Sequence, residues 1–158
     1  MIRVGQGFDV HQFISGRLCV IGGVTIDYPL GLKGHSDADV LIHAISDAIL
    51  GAAGLGDIGH YFPDNNPKFK NINSRDILRA VVGLIRDKGY TINNIDATVI
   101  CEEPKISPYT KQMIENIAED CLCELVQINI KATTTEGLGF TGRSEGIAAQ
   151  AICIIQSL

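Results

Sequence analysis

The sequence predicts an α/β fold in which three helices cover one face of a mixed four-stranded sheet, beside a small N-terminal hairpin. Apolar residues recur with the helical period in three segments, and shorter segments rich in valine and isoleucine alternate with these along the chain. The chain has 158 residues, which is a usual length for one domain. We therefore expect a single domain that spans residues 1–158.

The first part of the chain is predicted to form short strands and one helix. Strands are expected over residues 2–4, 17–21 and 24–26. Gly22-Gly23 provides a hairpin turn between the last two of these strands. A helix is expected to begin near Ser36 or Asp37. Its apolar positions follow the helical period: Val40, Leu41, Ile45, Ala48 and Ile49.

The rest of the chain alternates two further helices with three strands. Ser74 is a suitable N-cap for the second helix, and Gly89 is a suitable stop. Ser107-Pro108 begins the third helix, which is expected to continue to Leu125. The strands are expected over residues 92–101, 126–133 and 147–155. Because the last strand is apolar on both faces over much of its length, we expect an oligomer that covers the second face.

Charge and composition exclude several classes of protein. The net charge is −5 and no run of lysine or arginine occurs, so we expect no nucleic-acid partner and no anionic membrane surface. No apolar run approaches the roughly 18 residues of a membrane span, and the first residues lack the apolar core of a signal peptide. The five cysteines contain no C-x-x-C pair and are expected to be core residues of a cytoplasmic protein.

One carboxylate and two imidazole side chains provide the ligand types of a metal site. Asp9 and His11 are two residues apart, so on extended backbone both point to the same side. His43 lies on a polar stripe of the first helix with Asp39 and Asp47. One aspartate and two histidines suffice for a divalent metal, typically zinc, with an open fourth position, and Asp47 is placed to orient His43. Spacing alone, however, favours a solvated turn and a solvated helix face.

Two other histidines have less defined surroundings. His35 precedes the start of the first helix, where backbone N–H groups favour anions. This position is compatible with donation to a phosphate and equally with a simple capping loop. His60 has no partner in the pattern and is expected to be a surface loop residue.

A glycine-rich loop near residue 140 imitates two nucleotide-binding motifs. Residues 137–142 match G-x-G-x-x-G, and Arg143 stands where a Walker A loop has lysine. The residues after Gly142 are too few for the helix, strand and acidic residue that the dinucleotide motif requires, so we reject both motifs. No nucleophile elbow, Ser-His-Asp set or paired-carboxylate motif is present either. An enzyme with this sequence is therefore expected to use a nucleophile that the substrate supplies.

Six segments together resemble the 2-C-methyl-D-erythritol 2,4-cyclodiphosphate synthase family, in order and over essentially the whole chain. The segments are Gly5 to His11, Gly34 to Asp39 with His43, Gly56 to Gly59 with Phe62 to Asp64, Pro104-Lys105, Lys131 to Glu136, and Gly139 to Gly146. The resemblance implies an enzyme of the non-mevalonate isoprenoid pathway. Its substrate would be 4-diphosphocytidyl-2-C-methyl-D-erythritol 2-phosphate, and its products the cyclic diphosphate and CMP.

The resemblance also implies a homotrimer whose sheets face the threefold axis, with three active sites at the subunit interfaces. Each subunit would bind one zinc ion through Asp9, His11 and His43. A second divalent cation, Mg²⁺ or Mn²⁺, would lie on the substrate diphosphate with Glu136 as its ligand. His35 and Thr134 would hold the diphosphate in its reacting arrangement.

The remaining residues are assigned to substrate binding by the same resemblance. Around the erythritol and its phosphate these are Ser36, Asp57, Ile58, Gly59, Phe62, Pro63, Asp64, Asn65 and Asn66, and the metal and diphosphate residues Asp9, His11 and His35 are assigned to the substrate as well. Around the cytidine diphosphate they are Cys101, Glu102, Glu103, Pro104, Lys105, Ile106, Thr133, Thr134, Thr135 and Glu136. Phe140 and Arg143 match positions near the trimer axis and the ligand. If backbone groups recognise the base, the side chains of Glu102 and Glu103 matter little for recognition; both glutamates are expected to be solvated.

Two other functions are consistent with the same residues. One is a metal-dependent phosphohydrolase, in which the open metal position activates water. The other is a non-catalytic trimeric metal-binding module, in which the metal ligands only stabilise the fold.

Overall fold

A computed structural model describes residues 1–158, which form a five-stranded sheet with helices on one face. The strands of the large sheet are β1 (Ile2–Ile14), β4 (Gly31–Leu32), β5 (Tyr90–Ile100), β6 (Ile128–Thr133) and β7 (Gly146–Ser157). Their order is β4-β1-β7-β5-β6, and only the β5–β6 pair is parallel. The predicted mixed α/β fold is confirmed.

The predicted number of four strands is wrong, because a short edge strand joins the sheet. Phe13 and Ile14, at the end of β1, pair with the two residues of β4. A strand of two residues has no alternating pattern, so the sequence contains no signal for it. The predicted hairpin is present as β2 (Cys19–Ile21) and β3 (Val24–Ile26), which pair with each other in a separate sheet.

Three longer helices lie within the predicted helical segments. They are α1 (Val40–Ala53), α3 (Ser74–Asp87) and α4 (Thr110–Cys121). Two single-turn helices, α2 (Ile58–Tyr61) and α5 (Gly139–Gly142), were not expected from the sequence. Helix α4 ends before the predicted Leu125, because Leu122 adopts a left-handed conformation with φ of 55°. The N-cap of α3 is Asn73, one residue before the predicted Ser74.

Helix α1 is the central element, packed between the sheet and α3. Its close approach to β1 depends on two glycines of that strand. A Cβ atom on Gly5 would lie 2.0 Å from the Ala48 carbonyl oxygen, and one on Gly7 would lie 1.9 Å from that of Ala44. Because α1 is covered on several sides, its polar stripe is buried, and the expected solvated helix face is wrong for Asp39 and His43.

The other face of the sheet is exposed in the single chain and carries apolar side chains. They are contributed mainly by alternate residues of β1: Ile2, Val4, Phe8 and Val10, together with Ile152 of β7. The predicted uncovered apolar face is therefore present, although β1 contributes more of it than the final strand. All five cysteines are free, as expected, and four of them are buried. No helix has both the length and the apolar character to cross a membrane.

Candidate metal centre and active site

Asp9, His11 and His43 converge at the contact between β1 and α1. The Oδ2 atom of Asp9 lies 2.9 Å from Nε2 of His11 and 3.1 Å from Nδ1 of His43. The two imidazole nitrogens are 3.2 Å apart. One donor atom from each side chain therefore points to a common position.

The local structure explains this convergence. Asp9 and His11 are alternate residues of an extended strand, so both side chains point toward α1. The glycines that precede them in β1 allow α1 to approach closely enough for His43 to reach the same point. The strand continues through Asp9 and His11, which excludes the solvated turn that spacing alone favours.

The two histidines stabilise the charge of Asp9. Burial by itself would raise the pKa of Asp9, but hydrogen bonds with His11 and His43 reverse this effect and lower the pKa well below its ordinary value. Burial would likewise lower the pKa of His11, whereas its hydrogen bond with Asp9 raises it. The centre therefore combines an ionised carboxylate with two imidazoles.

This donor set fits a divalent metal ion such as zinc. One carboxylate oxygen and two imidazole nitrogens are borderline ligands that zinc accepts, and three protein ligands leave a fourth position open. Nδ1 of His11 lies 2.8 Å from the Lys33 carbonyl oxygen, to which it donates when Nε2 faces the metal position. The candidate metal triad is thus complete from the chain's own residues.

The expected role of Asp47 is wrong, because this residue does not contact His43. Its carboxylate accepts a hydrogen bond from the backbone N–H of Ile58, at 2.8 Å, and so fixes the start of α2. The second nitrogen of His43 instead contacts two hydroxyls, Ser74 Oγ at 2.9 Å and Ser36 Oγ at 3.2 Å. No sequence pattern connects Ser74 with His43, because 31 positions separate them.

The metal triad opens into a cleft of 510 Å³. Ten residues assigned to substrate binding line it: Asp9, His11, His35, Ser36, Ile58, Gly59, Phe62, Pro63, Asp64 and Asn65. His43 also lines the cleft. Asp57 caps α2 beside it, and the backbone oxygen of Asn66 lies 3.3 Å from Nε2 of His35. His60 is exposed on α2, as expected for a surface residue.

The segment that carries His35 and Ser36 is held by side chains from other elements. The Arg17 guanidinium donates hydrogen bonds to the carbonyl oxygens of Gly34 and Ser36. Asp39 is the N-cap of α1 and accepts from the backbone N–H of Ile42 at 3.1 Å. Its side chain therefore occupies the helix N-terminus that the sequence indicated as an anion site. Burial raises the pKa of Asp39 to about 6.

A second group of expected residues lies apart from this cleft, after the parallel strands β5 and β6. None of residues 101–106 and 133–136 lines the cleft in the single chain. Glu102 is half-buried and accepts hydrogen bonds from the backbone N–H groups of Thr135, at 3.1 Å, and Gly137, at 3.2 Å. The expectation that Glu102 is solvated is therefore wrong. Thr134 and Glu136 are exposed on the same loop.

Phe140 and Arg143 lie beyond that loop. Phe140 lines a separate cavity of 430 Å³ with His11 and Leu30. Arg143 is paired with Glu145, and its guanidinium is exposed. Neither position lines the metal cleft.

The fold and the cleft define an α/β protein with a candidate Asp-His-His metal triad open to a polar cleft, an arrangement suited to a metal-dependent enzyme for small polar substrates. Residues 2–156 match the YgbB family, and the chain belongs to that family. It is 61% identical over 156 residues to the 2-C-methyl-D-erythritol 2,4-cyclodiphosphate synthase of Methylobacillus flagellatus, covering 99% of this chain and 98% of that protein. The same enzyme of Bacillus licheniformis is 57% identical over 158 residues, the full length of both. The resemblance found in the sequence is confirmed.

Solved structures agree with this assignment. The bifunctional IspDF of Campylobacter jejuni superposes with a TM-score of 0.96 at 46% identity. The match covers 100% of this chain, which spans only 43% of that longer protein. The IspF of Plasmodium falciparum in complex with CDP superposes with a TM-score of 0.87 at 37% identity, covering 99% of this chain and 96% of that one.

Proposed function

We propose that this chain converts 4-diphosphocytidyl-2-C-methyl-D-erythritol 2-phosphate into 2-C-methyl-D-erythritol 2,4-cyclodiphosphate and CMP. It would thus be a lyase of isoprenoid precursor biosynthesis. The convergence of Asp9, His11 and His43 in a polar cleft is the observation that supports this function best. The high identity to synthases over the full chain supports the choice of substrate.

The reaction needs positioning more than it needs a protein nucleophile. An oxygen of the ionised 2-phosphate attacks the β-phosphorus, and the bond from that phosphorus to the CMP oxygen breaks as CMP departs with the electron pair. Holding the two phosphates of one flexible molecule in reacting contact can contribute roughly 7–11 kcal/mol. The sequence has no nucleophile motif, and the serine nearest to His43, Ser74, is fully buried and does not line the cleft, which is consistent with this chemistry.

The chain's residues divide this work between two surfaces. Asp9, His11 and His43 would hold one zinc ion per subunit. This ion and the second divalent cation would neutralise phosphate charge while the ring closes. Glu136 is an exposed carboxylate, suited to a Mg²⁺ or Mn²⁺ ion that the substrate phosphates hold on the other side.

His35 and Thr134 would hold the diphosphate through hydrogen bonds. His35 is half-buried in the cleft, with one ring nitrogen near the backbone oxygen of Asn66. Thr134 presents its hydroxyl from an exposed loop. Donors fixed before the reaction stabilise the charge that develops on the phosphates. The cleft residues 57–59 and 62–66 would contact the erythritol phosphate, and residues 101–106 and 133–136 the cytidine diphosphate.

A homotrimer would bring the two surfaces together. In the single chain, the cytidine segments lie outside the metal cleft, so a neighbouring subunit would have to supply them. The exposed apolar side chains of β1 and Ile152 provide a sheet face that can be buried around a threefold axis. Phe140 and Arg143 would then lie near that axis.

A product assay tests the proposal. The purified protein, loaded with Zn²⁺, is incubated with the cytidylated substrate and Mg²⁺, and the products are identified by phosphorus NMR. We expect the cyclic diphosphate and CMP in equal amounts, and none from His43→Ala. Inorganic phosphate as the product would instead indicate a phosphohydrolase. No turnover by a zinc-loaded trimer would indicate a binding module.

A further inference from the structure

The two ring nitrogens of His43 face different environments. Nδ1 points to Asp9 and His11, at 3.1 and 3.2 Å. Nε2 faces Ser74, whose Oγ is 2.9 Å distant. His43 is 6% exposed and Ser74 is 0% exposed, so no bulk water competes for this contact.

Ser74 is in turn fixed by a carboxylate. Its hydroxyl forms a short hydrogen bond with Oδ1 of Asp37, and its backbone N–H donates to Oδ2 of the same side chain at 3.0 Å. Asp37 also accepts from the backbone N–H of Asp39 at 3.1 Å. The position of the Ser74 hydroxyl is therefore determined from the start of both α1 and α3.

We propose that Ser74, held by Asp37, is a positioning residue that fixes the orientation and tautomer of His43. An ionised carboxylate can only accept hydrogen bonds, so the Ser74 O–H donates to Asp37. The Ser74 oxygen then accepts Nε2–H of His43, which leaves the Nδ1 lone pair directed at Asp9 and His11. The inference rests on the proposed metal site, because a fixed orientation of His43 matters only if its Nδ1 atom binds the metal.

Ser36 cannot replace Ser74 in this role. Its Oγ is farther from Nε2, at 3.2 Å, and already accepts a hydrogen bond from the backbone N–H of Ala38 at 3.0 Å. No carboxylate contacts the Ser36 hydroxyl, so nothing fixes the direction of its proton. Partners of this kind orient ligating histidines and typically change metal affinity by about 10- to 100-fold.

The test compares Ser74→Ala with Ser46→Ala. Ser46 is a matched control, because its hydroxyl is equally buried in α1 yet has no hydrogen-bond partner. We expect Ser74→Ala to bind Zn²⁺ about 10- to 100-fold more weakly in competition with a chromophoric chelator, and Ser46→Ala to bind like the wild type. Equal affinity of Ser74→Ala and the wild type would overturn the role of Ser74. Failure of the wild type to bind Zn²⁺ would overturn the metal site as well.

A second measurement is made on the wild-type protein and therefore does not depend on whether a variant folds. In proton–nitrogen NMR spectra of the zinc-loaded wild type, His43 is expected to carry its proton on Nε2 and to exchange it slowly with water. An unprotonated Nε2, or a proton in fast exchange, would contradict the hydrogen bond to Ser74. In folded Ser74→Ala the same proton is expected to exchange at least about tenfold faster.

Discussion

His43 and Thr134 illustrate two different tasks of single residues in the proposed site. His43 is buried, and its imidazole has polar contacts with four side chains, those of Asp9, His11, Ser36 and Ser74. Thr134 is exposed, and its hydroxyl contacts only its own loop, at Glu136. A change at His43 should therefore affect metal binding, whereas a change at Thr134 should affect how the substrate diphosphate is held.

Replacing Thr134 by valine is expected to lower kcat by about 100- to 1000-fold, the usual cost of removing one donor that stabilises transition-state charge. The zinc content should stay at one ion per subunit. His43→Ala is expected to lose both zinc and activity while remaining folded. Steady-state kinetics, atomic absorption and circular dichroism measure these effects. A Thr134→Val protein that has lost its zinc would contradict the separation of the two tasks.

The sequence predicted all three candidate metal ligands, but spacing alone connected only two of them. Asp9 and His11 are close in the chain, so strand geometry alone places them together. His43 is 34 positions away from Asp9, and its helical stripe was compatible with a solvated surface. Whether that stripe is buried depends on how α1 packs against the sheet and α3. These elements are distant in the chain, so the helix pattern contains no signal for this packing. For the same reason the sequence indicated Asp47, a neighbour on the helix, instead of Ser74.

At the scale of elements, the contact between β1 and α1 determines the geometry of the metal centre. β1 provides two of the candidate ligands and α1 the third, so the distance between their backbones sets the distances between the donor atoms. Gly5 and Gly7 make that distance short. Gly83, in contrast, lies on the exposed side of α3 with open space around its Cα.

Alanine is expected to have opposite effects at Gly7 and Gly83. At Gly7 the new Cβ would lie 1.9 Å from the Ala44 carbonyl oxygen, so the backbones must separate. We expect a loss of about 1–3 kcal/mol in the free energy of unfolding and weaker zinc binding. Gly83→Ala should instead gain up to about 1 kcal/mol, because alanine has the higher helix propensity. Urea unfolding of the metal-free proteins measures both changes. A Gly7→Ala protein with an unchanged free energy of unfolding would contradict the close approach of β1 and α1.

The loop that carries Thr134 and Glu136 is expected to depend on Glu102. Glu102→Ala removes the acceptor for the backbone N–H groups of Thr135 and Gly137. We expect kcat/KM to fall by about tenfold or more, because misplaced binding groups lose positioning, with zinc content unchanged. Glu102→Gln keeps one acceptor oxygen and should retain most of the activity. Equal loss in both variants would show that the charge of Glu102 matters instead of its acceptor.

The longer elements from residue 40 onward were predicted well, whereas β1, the longest strand, was expected only over residues 2–4, and the shortest elements and some chain reversals were missed. The strands after residue 90 and the three longer helices agree with the expected segments to within a few residues, because each repeats its apolar pattern several times. β4, α2 and α5 are too short to repeat any pattern. The early end of α4 depends on the left-handed conformation of Leu122, which leucine seldom adopts.

At the scale of the whole molecule, the single chain presents the two groups of proposed site residues on separate surfaces. The metal triad and the erythritol residues share one cleft, and the segments assigned to cytidine diphosphate lie after β5 and β6, outside it. The same chain exposes Phe8 at 54% and Ile152 at 46% on one sheet face. Burial of this face between subunits would stabilise an oligomer and could complete the site at the same time.

Mixing two impaired variants tests whether the sites are shared between subunits. We expect His43→Ala and Thr134→Val chains to regain activity when they are unfolded, combined in equal amounts and refolded together. Each mixed trimer would contain one site with the intact His43 of one subunit and the intact Thr134 of another, so random mixing predicts about one quarter of the wild-type activity. The control combines the two variants after separate refolding. If co-refolding gives no more activity than this control, each site is built within one chain.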